Sequence, residues 1–490
     1  MRLCLTLLSA ALTAMAADRV PFGLTLDQKV IEAWASPAEP GLPRVVWIGG
    51  LDGKANDELQ KEFQAWDRNR SRKRIELWAI PNANPAGEKL VFPPTGDAYR
   101  ENATANALWR SLATLAPDLV LISGPDSGLA AVLSSQRVAT VGAIPARVVT
   151  GSLRKAMGND IPKSPARTEI EARQVRTPRE VALQMAKVYG NELQQVAYIP
   201  AFAVWGRLRL GELAHAEALA APYINGQKNS LDKATSSHLS GHLIFAELAE
   251  KTGNRAYVDR VRAAADMGFS PSGEMLESMP MHSKMSDSVF MGCPILVKAG
   301  KLTGERKYFD MAHKHYRFMK AMDLRPDGLW RHSPADEAAW GRGNAFAILG
   351  LALSLSDLPK DHPAYDEMLR DYRSLVAALA KQQDSTGMFR QVIDFPGAYR
   401  ELSSTSIIGA MIHRGVKRGW LDEKTHAPLV QKAWRAVSAR TSPRGELIDV
   451  CEGTGAMKSL TDYLRRKALL GTDPRGGAML LLFSTELAGL

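Results

Sequence analysis

The sequence predicts a mainly α protein, an (α/α)6 barrel preceded by a smaller α/β domain, and three observations lead there. Strand signals nearly vanish after residue 178, apolar-periodic segments recur from there to the end, and those segments alternate between two characters. One set is amphipathic, over 178–192, 211–226, 255–268, 305–321, 363–383 and 425–440. The other is apolar nearly all round and rich in Ala, Gly and Ser, over 196–213, 239–251, 287–300, 341–355, 404–417 and 476–488. An amphipathic helix keeps a wet face, whereas one that is apolar all round has to be enclosed, so six outer helices alternate with six inner ones.

Residues 1–17, MRLCLTLLSAALTAMAA, join a basic Arg2, an apolar run and the small-residue spacing Ala-Met-Ala, the pattern of a secretory signal peptide with the mature start near Ala17. The apolar run falls well short of the roughly 20 residues a spanning helix needs, so no membrane span is expected in the mature chain. A periplasmic or secreted protein follows. From 18 to 154 short β-rich runs, RVVWIGG, RIELWAIP, DLVLISG and RVATVGAI, alternate with helical stretches such as ENATANALWRSLATLA, which predicts an open α/β sheet. Residues 155–177 lack periodicity and are rich in charge and Pro, so they read as a linker to the barrel domain, 178–490. Within that domain EKTGNRAY, from Glu250, reappears as KLTGERKY, from Lys301. In both copies Thr-Gly closes an inner helix, glycine being the least strained residue in the left-handed conformation that ends helices.

With 490 residues, 45% of them hydrophobic, two domains with sizeable cores are expected. A net charge of +10 suits an acidic partner. No Lys/Arg block, aromatic platform or nucleic-acid motif accompanies it, so nucleic acid is excluded as the expected partner and a small anionic substrate stays open. Cys293 and Cys451 remain after the signal; they read as buried or free thiols, and an oxidising compartment would permit one bridge.

In a barrel of this kind the inner helices run the same way, so their N-termini meet at one mouth. Polar residues cluster at those starts: His238 and His242 at the second, Asp287 at the third, Trp340, Arg342 and Asn344 at the fourth, Glu401 and Ser403 to Ser406 at the fifth, and Arg475 at the sixth. Six positive helix ends aimed at one cavity favour an anion, hence a carboxylated ligand. Asp287 opens a helix as an N-cap would, and equally stands where a general acid could be enclosed. Trp330 and Trp340 suit either the core or stacking on a sugar, Arg342 either a buried ion pair or a bidentate carboxylate contact, and His332 either a structural or a ligand contact. His238 and His242 lie four apart like a metal pair. No third ligand at suitable spacing stands out, and neither metal nor cofactor is expected.

The segments SDSVFMGCPILVKAGKLTGERKYFDMA, GLWRHS, WGRGNAFAILGLALSL, FRQVIDFPGAYRELSSTSIIGAMIHRGVKRGWLD and DPRGGAMLLLFSTEL resemble, in that order, the unsaturated uronyl hydrolases of glycoside hydrolase families 88 and 105, above all unsaturated rhamnogalacturonyl hydrolases. The likeness covers about 178–490, and its most specific parts are WGRGNAF and the upstream pair Asp287 and Met291. It implies an (α/α)6 barrel acting on oligosaccharides that begin with a 4,5-unsaturated uronic acid left by a lyase. It implies further that Asp287 protonates C4 of the double bond, that water adds at C5, and that the resulting hemiketal opens and releases the next sugar. Such a route needs one decisive acid where ordinary glycosidases use two. His332, Trp340 and Arg342 would contact the unsaturated sugar, within a binding set that also takes in His238, His242, Met291, Asn344 and Glu401. One departure stands out: many members have a second aspartate where this chain reads SSHLSGHLIF.

More faintly, VVWIGGLDG, IPNANPAGE, FPPTGDAY and APDLVLISG resemble a zinc carboxypeptidase core. There a His-x-x-Glu follows the Gly-Gly, but this chain continues Leu51, Asp52, Gly53, Lys54 and Ala55, with Ser123 and Gly124 near where a further His would stand. The resemblance implies a peptidase relic that supports or binds.

Overall fold

A computed structural model describes residues 17–490 apart from 37, 70–73 and 159. Residues 1–16, the signal segment short of Ala17, lie outside the described residues. Strands β1 (Asp18–Leu24), β2 (Val30–Ala35), β3 (Arg44–Ile48), β4 (Glu76–Ile80), β5 (Leu119–Ser123) and β6 (Ala146–Val149) form one sheet in the order β1-β2-β4-β3-β5-β6. β3 to β6 are parallel, and β1 and β2 run antiparallel along one edge. Side chains alternate between two cores. Val45 and Trp47 face the core of α1 (Asp57–Arg68) and α4 (Leu153–Met157), while Val46 and Ile48 face α2 (Ala103–Leu115) and α3 (Leu129–Ser135). Burial on both faces is what makes these strands read as continuous apolar runs.

Two expectations here need correction. RVATVGAI is a loop, and the edge strand begins after Pro145, at Ala146–Val149, because Val138, Val141 and Ile144 are buried against α3 instead of pairing with β5. Residues 155–177 are more than a linker, since they hold α5 (Pro165–Gln174), capped by Ser164. Its arginines hid it. Arg167 is buried against Asp118 at 2.8 Å and Arg173 against Glu169 at 2.8 Å, so charge that reads as solvated is neutralised inside.

The helical region alternates as expected. Outer helices are α6 (Pro178–Ala186), α8 (Leu213–Ile224), α11 (Arg255–Ala265), α13 (Arg306–Asp323), α15 (Pro363–Ala380) and α17 (Glu423–Ala439). Inner ones are α7 (Tyr198–Arg209), the broken pair α9 (Ser236–Gly241) and α10 (Leu243–Thr252), α12 (Ser288–Thr303), α14 (Gly341–Asp357), α16 (Leu402–Lys417) and α19 (Pro474–Leu487). Each inner helix packs on the next, and α19 closes the ring on α7. The repeated Thr-Gly ends α10 and α12 with Gly253 and Gly304 at φ 70° and 75°, the left-handed conformation. Between α17 and α19 the chain adds strands β7 (Leu447–Cys451) and β8 (Ala468–Gly471) flanking α18 (Leu460–Leu464), an insertion the periodicity did not announce.

The inner helices share a direction. Arg209, Lys298 and Arg414, all near helix C-termini, gather with Asp357 and Glu486 around a cavity of about 660 Å³ at the end opposite the helix starts. Cations there complement the negative helix ends.

The α/β domain and the barrel share a core: Ala105, Leu108 and Tyr99 pack in one cluster with Trp340, Tyr399, Ile448 and Tyr463. Arg110 of α2 reaches Asp449 of β7 at 2.7 Å, both buried, and the rings of Tyr99 and Tyr399 stack at 4.5 Å. Cys293 and Cys451 are buried and unbridged. Among the described residues no helix is long and apolar enough to cross a membrane.

Candidate active site

Asp287 precedes α12 in helical conformation, yet its carboxylate caps no backbone amide. An N-cap carboxylate would normally accept such a bond, and this one does not. It is 9% exposed, and its Oδ1 stands 3.3 Å from Nε2 of His332 without an aligned hydrogen bond. His332 is fully buried, and its Nδ1 lies 2.8 Å from the hydroxyl of Tyr463. That hydroxyl oxygen accepts from the Met457 amide at 3.1 Å, which leaves its own proton to point at Nδ1. The network assigns the Nε2–H tautomer, with the ring's N–H turned toward Asp287. Burial pushes the Tyr463 phenol up to about 12, which keeps that proton in place.

Arg342 and Trp340 stand behind this pair. Trp340 is 1% exposed, with the His332 ring at 4.4 Å and the Arg342 guanidinium at 4.6 Å, so it is a core aromatic with no free face for a sugar; Trp330, equally buried, is core too. Arg342 donates to Ser403 Oγ at 3.2 Å and to the carbonyls of Cys451 at 2.9 Å and Glu452 at 2.7 Å. Both terminal nitrogens are thereby committed to fixing the end of β7.

The other candidates are held by the fold. Glu401 caps α16, accepting from the amides of Ser403, Ser404 and Cys451, with Ser403 Oγ as a further donor. Asn344 brackets the His332 loop, accepting from Trp330 N at 2.9 Å and donating to the carbonyls of Trp330 and Trp340. His242 breaks the second inner helix and bonds Ser230 Oγ at 2.9 Å and the His238 carbonyl at 2.6 Å, and burial lowers it to about 4, so it is neutral. His238 accepts the Thr235 amide on Nδ1, which leaves Nε2–H without a hydrogen-bond partner among the described residues at the second helix start. Met291, one turn beyond Asp287, receives the Ser240 hydroxyl on sulfur at 2.9 Å. His238 and His242 therefore form no metal pair, and among the described residues no group of three or more His, Cys, Asp or Glu could hold a metal ion.

Two groups escaped the sequence reading. Tyr198 opens the first inner helix within electrostatic reach of Arg342, Asp287, Arg475 and Asp473, and its place at a helix start could have signalled it. Tyr463, in the unannounced α18, had no local signal. Arg475 donates to Asp473 at 3.1 Å and keeps its other terminal nitrogen free of any hydrogen bond among the described residues.

The sequence model of Glycosyl Hydrolase Family 88 matches residues 212–490, more than half of the chain and all of the site from His238 to Arg475. The chain belongs to Glycosyl Hydrolase Family 88. Among its curated relatives is the unsaturated 3S-rhamnoglycuronyl hydrolase of Formosa agariphila, 30% identical over 175 residues, which are 31% of this chain and 45% of that protein. The unsaturated rhamnogalacturonyl hydrolase YesR of Bacillus subtilis is 23% identical over 243 residues, 46% of this chain and 68% of that one. This family member thus spans less than half of the first relative's length. A possible member of the GH105 family from Klebsiella pneumoniae is similar in structure, with a TM-score of 0.55, 22% identity, and coverage of 70% of this chain and 98% of that one. That likeness establishes the barrel fold. The family match begins at 212, so the α/β domain and α7 with Tyr198 lie outside it.

Proposed function

We propose that this family 88 member removes a 4,5-unsaturated uronic acid from the non-reducing end of lyase-generated oligosaccharides. The observation that carries the reading is the uncapped Asp287 carboxylate at the barrel mouth, 3.3 Å from the ring N–H of a buried His332. The Asp287 carboxyl gives its proton to C4 of the enol ether, leaving an oxocarbenium ion across C5 and the ring oxygen. Water adds at C5, returning a proton to the carboxylate. The hemiketal then opens to a C5 ketone, and the hemiacetal left at C1 expels the neighbouring sugar as an alcohol. One water is consumed, and one carboxyl serves as acid and then base. His332 orients that carboxyl, and the converging helix starts, with Arg475, supply the positive field for the substrate's carboxylate.

Disappearance of the conjugated double bond's ultraviolet absorbance, followed on products of pectin, glycosaminoglycan, ulvan and alginate lyases, tests this. Turnover by the wild type and a loss of about 10²–10⁴-fold in Asp287→Asn are expected. Turnover unchanged by that substitution removes the assignment, and binding without turnover on every substrate would leave a carbohydrate-binding barrel. A periplasmic or secreted location belongs to the same proposal; an N-terminus near Ala17 on the protein recovered outside the cytoplasm is its check.

A further inference from the structure

A cleft of about 710 Å³ lies between the α/β domain and the barrel, on the side of α5 and α17, and it shares no residue with the Asp287 mouth. Arginines supply most of the charge on its lining. Arg44, Arg167, Arg400, Arg435 and Arg440 face it against two glutamates, and each glutamate already has a cation: Glu76 pairs with Arg44 at 2.8 Å, and Glu171 with Arg167 at 3.0 Å.

The barrel's three arginines have charge to spare. Arg400, 8% exposed, bonds Asp384 through Nε and has no hydrogen-bond partner for either terminal nitrogen among the described residues. Arg390 stands 3.6 Å from the same carboxylate, so Asp384 answers two guanidinium groups. Arg440, 4% exposed, has one bond, to the Thr114 hydroxyl at 3.3 Å, and its Nε is buried without a partner. Its burial and the neighbouring charge of Arg400 push it down to about 10. Arg435 is exposed at the rim. Buried guanidinium groups short of counter-charge are costly, and an arriving anion would relieve that cost through charge-assisted hydrogen bonds. The lining also holds the buried Phe22 and the half-buried Trp78, whose ring NH is tied to Glu76 at 2.9 Å. Forked cations beside the partly open Trp78, in a volume inside the roughly 300–1,000 Å³ range of ligand sites, match a sugar bearing an acidic group.

We propose that this cleft is a second saccharide-binding site, taking an oligosaccharide that carries carboxylate or sulfate groups and holding it apart from the hydrolytic mouth. The site stands on the cleft itself; the choice of a saccharide as occupant rests on the function proposed above.

Trigalacturonate, saturated and so not a substrate for the proposed reaction, is the probe, added to the full chain and followed by hydrogen exchange and calorimetry. Slower exchange in α5 and in residues 435–440 is expected. In Arg435→Glu, binding there should weaken by about tenfold, the loss of one charge-assisted contact. Arg435→Glu combined with Arg400→Gln should abolish it with helix content unchanged. Protection confined to the inner-helix starts, or binding untouched by Arg435→Glu, overturns the proposal. Equal protection by inorganic sulfate at the same concentration overturns the saccharide, since it leaves a simple anion site. Because no turnover is read, failure of the hydrolase reading and failure of this one give different results.

Discussion

The hydroxyl of Tyr463 stands 2.8 Å from Nδ1 of His332, across 131 residues of chain. By donating its proton it fixes the ring nitrogen that faces Asp287 as an N–H. Tyr463→Phe removes that donor and leaves the Met457 amide unpaired. Turnover of lyase products is expected to fall about tenfold, in line with the ~0.5–1.5 kcal/mol of a typical hydrogen bond, with KM little changed. Activity at the wild-type level would show that the tautomer needs no such support.

Asp323, at the end of α13, is fully buried, and neither carboxylate oxygen has a hydrogen-bond partner among the described residues. Burial raises it to about 8, helped by the charge of Asp287 and opposed by Arg331. Its folded value lies above the unfolded 3.8, so the folded state holds a proton that the unfolded chain releases. Stability therefore falls as pH rises through that window and levels off above about 8. His242 and His315, lowered to about 4 by burial, act below 6.5, where falling pH costs stability. Between 6.5 and 8 the slope belongs to Asp323, up to about 1.4 kcal/mol per pH unit. Urea melts of Asp323→Asn should show that slope flattened; an undiminished slope would place its origin elsewhere.

Arg110 and Asp449 form a buried pair, 2.7 Å apart, that joins the α/β domain to the barrel. Asp449→Ala strands the guanidinium and should cost about 3–5 kcal/mol by denaturant melts. Because the two parts share a core, both should unfold in one transition. A separate early loss of the sheet would contradict a shared core.

At Gly350 of α14 an added Cβ would lie 2.5 Å from the Val289 backbone of α12. Backbone cannot yield as a side-chain tip can. Gly350→Ala should separate the two helices and destabilise the protein by at least about 1–3 kcal/mol, with a matching fall in Tm. No change in Tm would mean that the barrel spacing adapts freely.

The alternation of wet-faced and fully apolar helices was legible along the chain because periodicity is local, and so was the converging row of polar residues at the inner-helix starts. Asp287 could be singled out in the same way. Helix period and apolar strand runs were enough to specify the barrel and the open sheet, and to put Asp287 first among the proposed acids. Tertiary structure decided which polar groups were left over. Asn344, Glu401 and Arg342 sit at the same mouth, yet their hydrogen bonds are spent on Trp330, Cys451 and Glu452, partners brought near only when the ring closes. It also decided that α5 packs inside, that Trp340 has no free face, and that Tyr463 supports His332. The physical reason is that hydrogen-bond satisfaction and burial depend on contacts distant in the chain, whereas helix period and capping are written within a few residues.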